Sequence, residues 1–178
     1  MKKIILVCLV VFSFACKNEE KSIKIKSELP VKKEVVNDDI FKVFIDIKVN
    51  EDDKFQLFYV DDSPEGDFSV DKRLALLIKG DNNFQVIEFT LPANVFPYKF
   101  RVDLGENNLE TSIEIRSIKL QYNNDVIEIG NLTLERFFQP NIYLEKTVNG
   151  YLRKTIDGRN DPFLLSTPLL IKKMELEL

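Results

Sequence analysis

Histidine and cysteine carry most side-chain chemistry near neutral pH, and this 178-residue chain has no histidine and only two cysteines, Cys8 and Cys16. Without histidine there is no Ser–His–Asp or Cys–His nucleophile, no imidazole acid–base pair and no ordinary zinc site. What remains is the chemistry of guanidinium groups and of oxygen ligands. Arg101 and Asp103 stand two residues apart in Tyr98-Lys99-Phe100-Arg101-Val102-Asp103-Leu104, so on a strand both point to one polar face. A guanidinium beside a carboxylate there suits sugar hydroxyls or an anionic group. The commoner use of the same spacing is a cross-strand ion pair on a solvated face. Tyr59, in the run Phe55-Gln56-Leu57-Phe58-Tyr59, is a candidate stacking partner beside them. Asn50-Glu51-Asp52-Asp53 and Asp61-Asp62 are oxygen-rich loops, which makes Asp52, Asp53, Asp61 and Asp62 candidate ligands of a structural calcium ion, although neither loop has EF-hand spacing. No other cofactor is implied. The 29 acidic residues place some carboxylate pair within glycosidase range by chance, but no motif marks one and no enzymatic activity is expected.

The remaining reactive position is Cys16. Lys2 and Lys3 precede an apolar run, Ile4 to Phe12, and Ser13-Phe14-Ala15 leads into the cysteine. A positive start, a short apolar stretch and small residues at the cut are the layout of a secretory signal peptide. The run is about half of the roughly 20 residues needed to cross a bilayer as a helix. Ending on cysteine, the segment resembles the lipobox signal of bacterial lipoproteins. The resemblance implies that residues 1–15 are removed, that Cys16 is lipidated, and that the chain is anchored in the outer membrane. Lys17-Asn18-Glu19-Glu20 resembles the surface-export tag of lipoproteins in gliding and gut Gram-negative bacteria, and it equally suits an ordinary polar tether, so the cell surface and the periplasmic face both stay open.

Residues 16–37 are charged and polar, with Pro30 among them, and are expected to form a flexible tether. Residues 38–178, about 140 in number, suit a single domain. With Cys8 in the signal and Cys16 under lipid, that domain has no thiol and no disulfide. Without Lys2 and Lys3 the chain keeps 23 basic against 29 acidic residues, and no basic block, which argues against a nucleic-acid partner.

The domain reads as strands. Phe41, Val43, Ile45, Ile47 and Val49 alternate with mostly polar residues, and Tyr98, Phe100, Val102 and Leu104 repeat the pattern. Ile113 and Ile115 fall on one phase while Ile118, Leu120 and Tyr122 fall on the other, which predicts a bulge near Arg116-Ser117. Further strands are predicted over 55–60, 73–78, 84–91, 126–129, 142–148, 151–156 and 169–178, with the last pairing near the first strand. Asn149-Gly150 marks a hairpin. Asp157-Gly158-Arg159-Asn160-Asp161-Pro162 reads as a turn rather than a binding loop, and 132–138 as the only helical turn. About ten strands without a long amphipathic helix predict an all-β fold, a two-sheet antiparallel sandwich, with a jelly roll preferred.

Phe55-Gln56-Leu57-Phe58-Tyr59, Gly80-Asp81-Asn82-Asn83-Phe84-Gln85, Phe89-Thr90-Leu91-Pro92, Tyr98 to Gly105 and the strand from Ile113 to Ile118 together resemble the galactose-binding-like jelly rolls of carbohydrate-binding modules. The resemblance implies that fold and, by analogy, a sugar ligand. Those modules rely on tryptophan, which is absent here, so tyrosine and phenylalanine would supply the stacking. The expected function is therefore a lipid-anchored, non-catalytic envelope lipoprotein that binds carbohydrate through Tyr59, Arg101 and Asp103. The alternative is an accessory lipoprotein that binds a partner protein and no small ligand.

Overall fold

Alternation decides the first strand: from Phe41 to Lys48 every second side chain is buried and the others are half-buried. The same rule repeats along the chain. In a computed structural model that describes residues 39–107 and 110–178, eleven strands follow in order: β1 (Phe41–Lys48), β2 (Asp53–Val60), β3 (Arg73–Ile78), β4 (Gln85–Thr90), β5 (Lys99–Asp103), β6 (Ser112–Tyr122), β7 (Asp125–Gly130), β8 (Phe138–Pro140), β9 (Leu144–Lys146), β10 (Gly150–Arg153) and β11 (Phe163–Ser166). They pair antiparallel into two sheets, ordered β4-β1-β6-β10-β9, with β7 also on β6, and β3-β2-β5-β11-β8. The fold is an all-β two-sheet sandwich, and residues Asn37–Leu178 form a compact unit of their own. Cys16, the expected signal and the expected tether lie outside the described residues. Among the described residues no helix is long and apolar enough to cross a membrane.

The core lies between the sheets. Phe41, Val43, Ile45 and Ile47 of β1 face Phe55 and Leu57 of β2 and Phe100 and Val102 of β5, all fully buried. Aromatic rings fill one end: Phe41 meets Phe96 edge-on at 5.5 Å between centroids, Phe96 meets Tyr122 at 5.0 Å, and Phe100 stacks on Phe138 at 6.3 Å. Burying such side chains is worth roughly 1.5–3 kcal/mol each, which is why a domain of this size holds without disulfides.

The bulge is where the phase jump requires it. Asp46 pairs with Ser117 and Ile47 with Ile115, so Arg116 is the extra residue, and Ile113, Ile115, Ile118 and Leu120 all reach the core. The Asn149-Gly150 hairpin joins β9 to β10, with Thr147 N–H donating to the Gly150 carbonyl at 2.9 Å.

Residues 169–178 depart from the expectation. They form a helix, not a strand, and do not pair with β1. A 3-10 turn at Asn131–Thr133 and the short helix α1 (Leu134–Phe137) occupy the helical turn expected at 132–138, and α2 (Pro168–Glu177) is a second helix. The apolar alternation Met174-Glu175-Leu176-Glu177-Leu178 reads as a strand, but the start signals are helical. Thr167 caps the end, its Oγ1 accepting from Leu170 N–H at 3.4 Å, and Pro168 sits in the first turn, where its missing N–H costs nothing. Lys172–Glu175 and Lys173–Glu177 pair along its exposed side, while Leu170 and Met174, four apart, enter the core. Short strands β8 and β11 escaped the sequence reading. Each is too brief to show a period, and β11 follows the Asp161-Pro162 breaker.

Candidate functional site

Strand β5 sends Phe100 and Val102 inward and Lys99, Arg101 and Asp103 to the outer face of the five-stranded sheet. Its neighbours bring aromatic rings to the same face. Phe58 of β2 lies opposite Arg101, and Phe163 of β11 lies opposite Asp103. Arg101 is held on three sides. Its Nε donates to Asp103 Oδ1 at 2.6 Å, its Nη2 to Asp103 Oδ2 at 3.0 Å, and Nη2 also to Asp161 Oδ1 at 2.7 Å. The guanidinium carbon lies 3.9 Å from the centre of the Phe163 ring and 5.5 Å from that of Phe58. Arg73 of β3 approaches the far side of Phe58 at 5.8 Å.

A turn and a tie place Asp161. Asp157 and Gly158 both have positive φ, 50° and 73°, and Ile156 and Arg159 exchange backbone hydrogen bonds of 2.9 Å across them. The segment is thus the expected turn, and it also delivers a carboxylate to Arg101. Asn141, beyond β8, fixes it: its Nδ2 donates to the Asp161 carbonyl at 2.6 Å, and its Oδ1 accepts from Phe163 N–H at 3.3 Å. Sequence reasoning missed Asn141, Asp161 and Phe163 as members of this site. They are distant in sequence from Arg101 and only strand order brings them together.

Two hydrogen bonds from Nε and Nη2 to Asp103, and a third to Asp161, leave Nη1 without a protein acceptor among the described residues. That amino group is a fixed pair of N–H donors. Burial pushes the Asp103 carboxyl above its ordinary range, and hydrogen bonds from Arg101 pull it back only in part. With one guanidinium between two carboxylates, the cluster offers donors and acceptors side by side.

Tyr59 is not part of this surface. It pairs with Phe100 on β5 and points into the core with 6 % exposure, because neighbours along a strand face opposite ways. Phe58, one residue earlier, takes the place assigned to it. The four acidic candidates also separate. Asp52 and Asp53 stand at one end of β2 and Asp61 and Asp62 at the other, about 25 Å apart along a strand that rises ~3.3 Å per residue. Asp52 pairs with Lys79 and accepts from Gly80 N–H at 2.9 Å, while Asp61 and Asp62 both hold Lys72. Among the described residues no three metal-competent side chains converge, and the partners these carboxylates have are lysines and a backbone amide.

Asp53 has a different use. It forms an ion pair with Arg153 of β10, and both side chains are 2 % exposed. Asp53 Oδ1 accepts N–H groups from Lys54, Glu106 and Asn107 at 2.7, 2.8 and 3.1 Å, and Arg153 also reaches the Leu104 carbonyl at 3.3 Å and the Thr111 hydroxyl. Gly105 makes room for the pair: its φ is 110°, and a Cβ there would lie 2.1 Å from Arg153 Nη1. The knot holds the chain after β5 over the sheet end, where Glu106 accepts from Gln56 and Lys54.

The opposite sheet has a second arginine stack. Arg116, the bulged residue, lies 3.9 Å from the Phe84 ring centre and donates to Asp46 at 2.9 Å. Beside it runs an open groove of about 370 Å³ bordered by Glu114, Leu132 and Val148, the last two almost fully exposed. Compared with known proteins, the chain matches no family model, no curated protein and no solved structure.

Proposed function

We propose that this chain is a lipid-anchored envelope lipoprotein whose sandwich is a non-catalytic binding module for a neutral carbohydrate, with the ligand on the outer face of the five-stranded sheet. One observation carries the reading: Arg101 is locked between Asp103, Asp161 and Phe163 with Nη1 left to donate. Two N–H donors beside two carboxylate acceptors match a vicinal diol, and the rim of Phe58 offers an apolar edge to the sugar ring. The lipid anchor rests on the lipobox-like segment ending at Cys16, and the outer membrane is its proposed location.

A glycan-array screen of unlipidated residues 17–178 tests the binding. The expected result is selective capture of a neutral glycan, lost in Arg101→Ala and weakened about tenfold in Asp161→Asn, as one charge-assisted hydrogen bond would require. Binding unchanged by Arg101→Ala would move the site elsewhere. Fatty-acid labelling that persists in Cys16→Ser would remove the anchor. The groove beside Arg116, with Leu132 and Val148 exposed on its rim, favours a second reading, a partner protein in place of the glycan. Absence of any glycan on the array together with an envelope protein retained only by chains with intact Leu132 and Val148 would select it.

A further inference from the structure

Helix α2 is apolar on two sides. Leu170 and Met174 enter the core, and Leu178 packs against it. On the opposite side Leu169, Lys172, Lys173 and Leu176 recur at i, i+3, i+4 and i+7, the spacing of one outward stripe. Leu169 stands 47 % exposed and Leu176 72 %. The end of α1 brings Arg136 and Phe137 beside them, and the two helices line an open groove of about 240 Å³. Its apolar lining is leucine and phenylalanine, and its rim is cationic. Lys172 and Lys173 pair with Glu175 and Glu177 at 2.9 and 2.5 Å. The exposed Arg136 guanidinium has no hydrogen bond or ion pair among the described residues and lies 5.9 Å from the centre of the Phe137 ring.

The same end of the sandwich receives the chain that leads from Cys16. Strand β1 starts there with Phe41, whose ring lies 6.0 Å from that of Phe100. Phe100 N–H donates to Ser166 Oγ at 3.0 Å. The next residue, Thr167, caps α2 and donates from its hydroxyl to the Arg136 carbonyl at 2.9 Å. Asp39 therefore stands at the end of the sandwich where α1 finishes and α2 begins, and residues 17–38, 22 in number, separate it from Cys16.

We propose that the groove between α1 and α2 is the face this domain sets against its own bilayer. Leu169, Leu176 and Phe137 enter below the headgroups, and Arg136, Lys172 and Lys173 meet anionic phosphates. The assignment rests on the lipoprotein reading. Lysine and arginine suit that rim, because their stems cover apolar surface while the charged ends stay at the interface. So small an apolar face holds a free chain only weakly. An anchor at Cys16 changes that. The 22 intervening residues reach at most about 80 Å, so docking becomes intramolecular, at an effective concentration on the order of millimolar.

Tryptophan reporters test it, because the chain has no tryptophan of its own. Residues 16–178 contain the whole compact unit, which begins at Asn37, and a single cysteine, Cys16. That thiol couples to maleimide-bearing lipid in vesicles of phosphatidylethanolamine and phosphatidylglycerol with brominated acyl chains, which quench an indole only on contact. The indole introduced by Leu176→Trp is quenched. Those introduced by Leu132→Trp and Val148→Trp stay bright, since both positions are at least as exposed but stand beside Glu114, at the Lys48 end of β1. In the Leu176→Trp chain, Leu169→Ser lowers the ratio of docked to free domain roughly three- to tenfold, as losing half a leucine's burial requires. Arg136→Glu lowers it about tenfold on these vesicles and far less on phosphatidylcholine. An indole at Leu176→Trp no more quenched than the other two would overturn the proposal. So would quenching indifferent to both Leu169→Ser and Arg136→Glu. Because the lipid is attached chemically, the result does not depend on acylation of Cys16 in the cell. A failed anchor shows in fatty-acid labelling, and failed docking shows here.

Discussion

Replacing Arg153 is the sharpest probe of how this sandwich is held. Arg153 and Asp53 come from different sheets, are separated by 100 residues in sequence, and have side chains that are 2 % exposed. In Arg153→Met the Asp53 carboxylate keeps its three backbone N–H donors but loses its ion-pair partner, the one it has among the described residues. Leaving one partner of a buried pair uncompensated costs about 3–5 kcal/mol. Against a total of roughly 5–15 kcal/mol for a domain, that is a large fraction. At this chain length each kcal/mol corresponds to about 3–4 °C, so the melting temperature should fall by about 10–20 °C. Urea unfolding of residues 17–178 measures the loss directly, and amide exchange should show Leu104 to Asn107 released first. Adding Asp53→Asn removes the stranded charge while an amide oxygen still accepts the backbone donors, so the double variant should regain all but about 1–2 kcal/mol. A loss below about 1 kcal/mol in Arg153→Met, or a double variant no better than the single, would refute the claim that a buried charge pair ties the sheets together.

Three further predictions use other parts of the molecule. Because burial raises the Asp103 carboxyl, the folded chain holds that proton more tightly than the unfolded chain, so its contribution to stability falls as pH rises above the ordinary 3.8. The stability advantage of the native chain over Asp103→Asn should accordingly narrow with rising pH in denaturant titrations, and a widening gap would reverse the sign. Tyr151 is fully buried, its hydroxyl has no hydrogen-bond partner among the described residues, and burial pushes its ionisation well above the ordinary range. Tyr151→Phe should therefore be neutral or up to about 1 kcal/mol more stable in urea, and a loss of that size would reveal a partner. Deleting Arg116 closes the bulge and leaves Ile113, Ile115, Ile118 and Leu120 in one unbroken alternation, so the variant should give a native far-UV spectrum. Deleting Lys119 instead turns Leu120 outward and should unfold the chain in the same measurement.

Local pattern carried much of this protein. Period-two alternation located β1 to β7 within a few residues, because one face of each strand is buried and only that period sorts side chains onto it. The phase jump between Ile115 and Ile118 foretold the bulge at Arg116, and Asn149-Gly150 foretold the β9–β10 hairpin, since both are properties of adjacent residues. The same rule misread 169–178, where Thr167 and Pro168 outweighed a short apolar alternation, and it placed Tyr59 beside Arg101 although their parity on paired strands sets them on opposite faces. Absent histidine and absent cysteine in residues 38–178 followed from composition alone, and with them went whole classes of chemistry. What pattern could not supply is any contact between residues far apart in sequence. Asp161 and Phe163 meet Arg101, tied in place by Asn141, only because β11 packs between β5 and β8, and Asp53 finds Arg153 only because two sheets close over one end. A side chain's sequence neighbours set its direction, but strand order sets its partners, and strand order is decided by burial of the whole core.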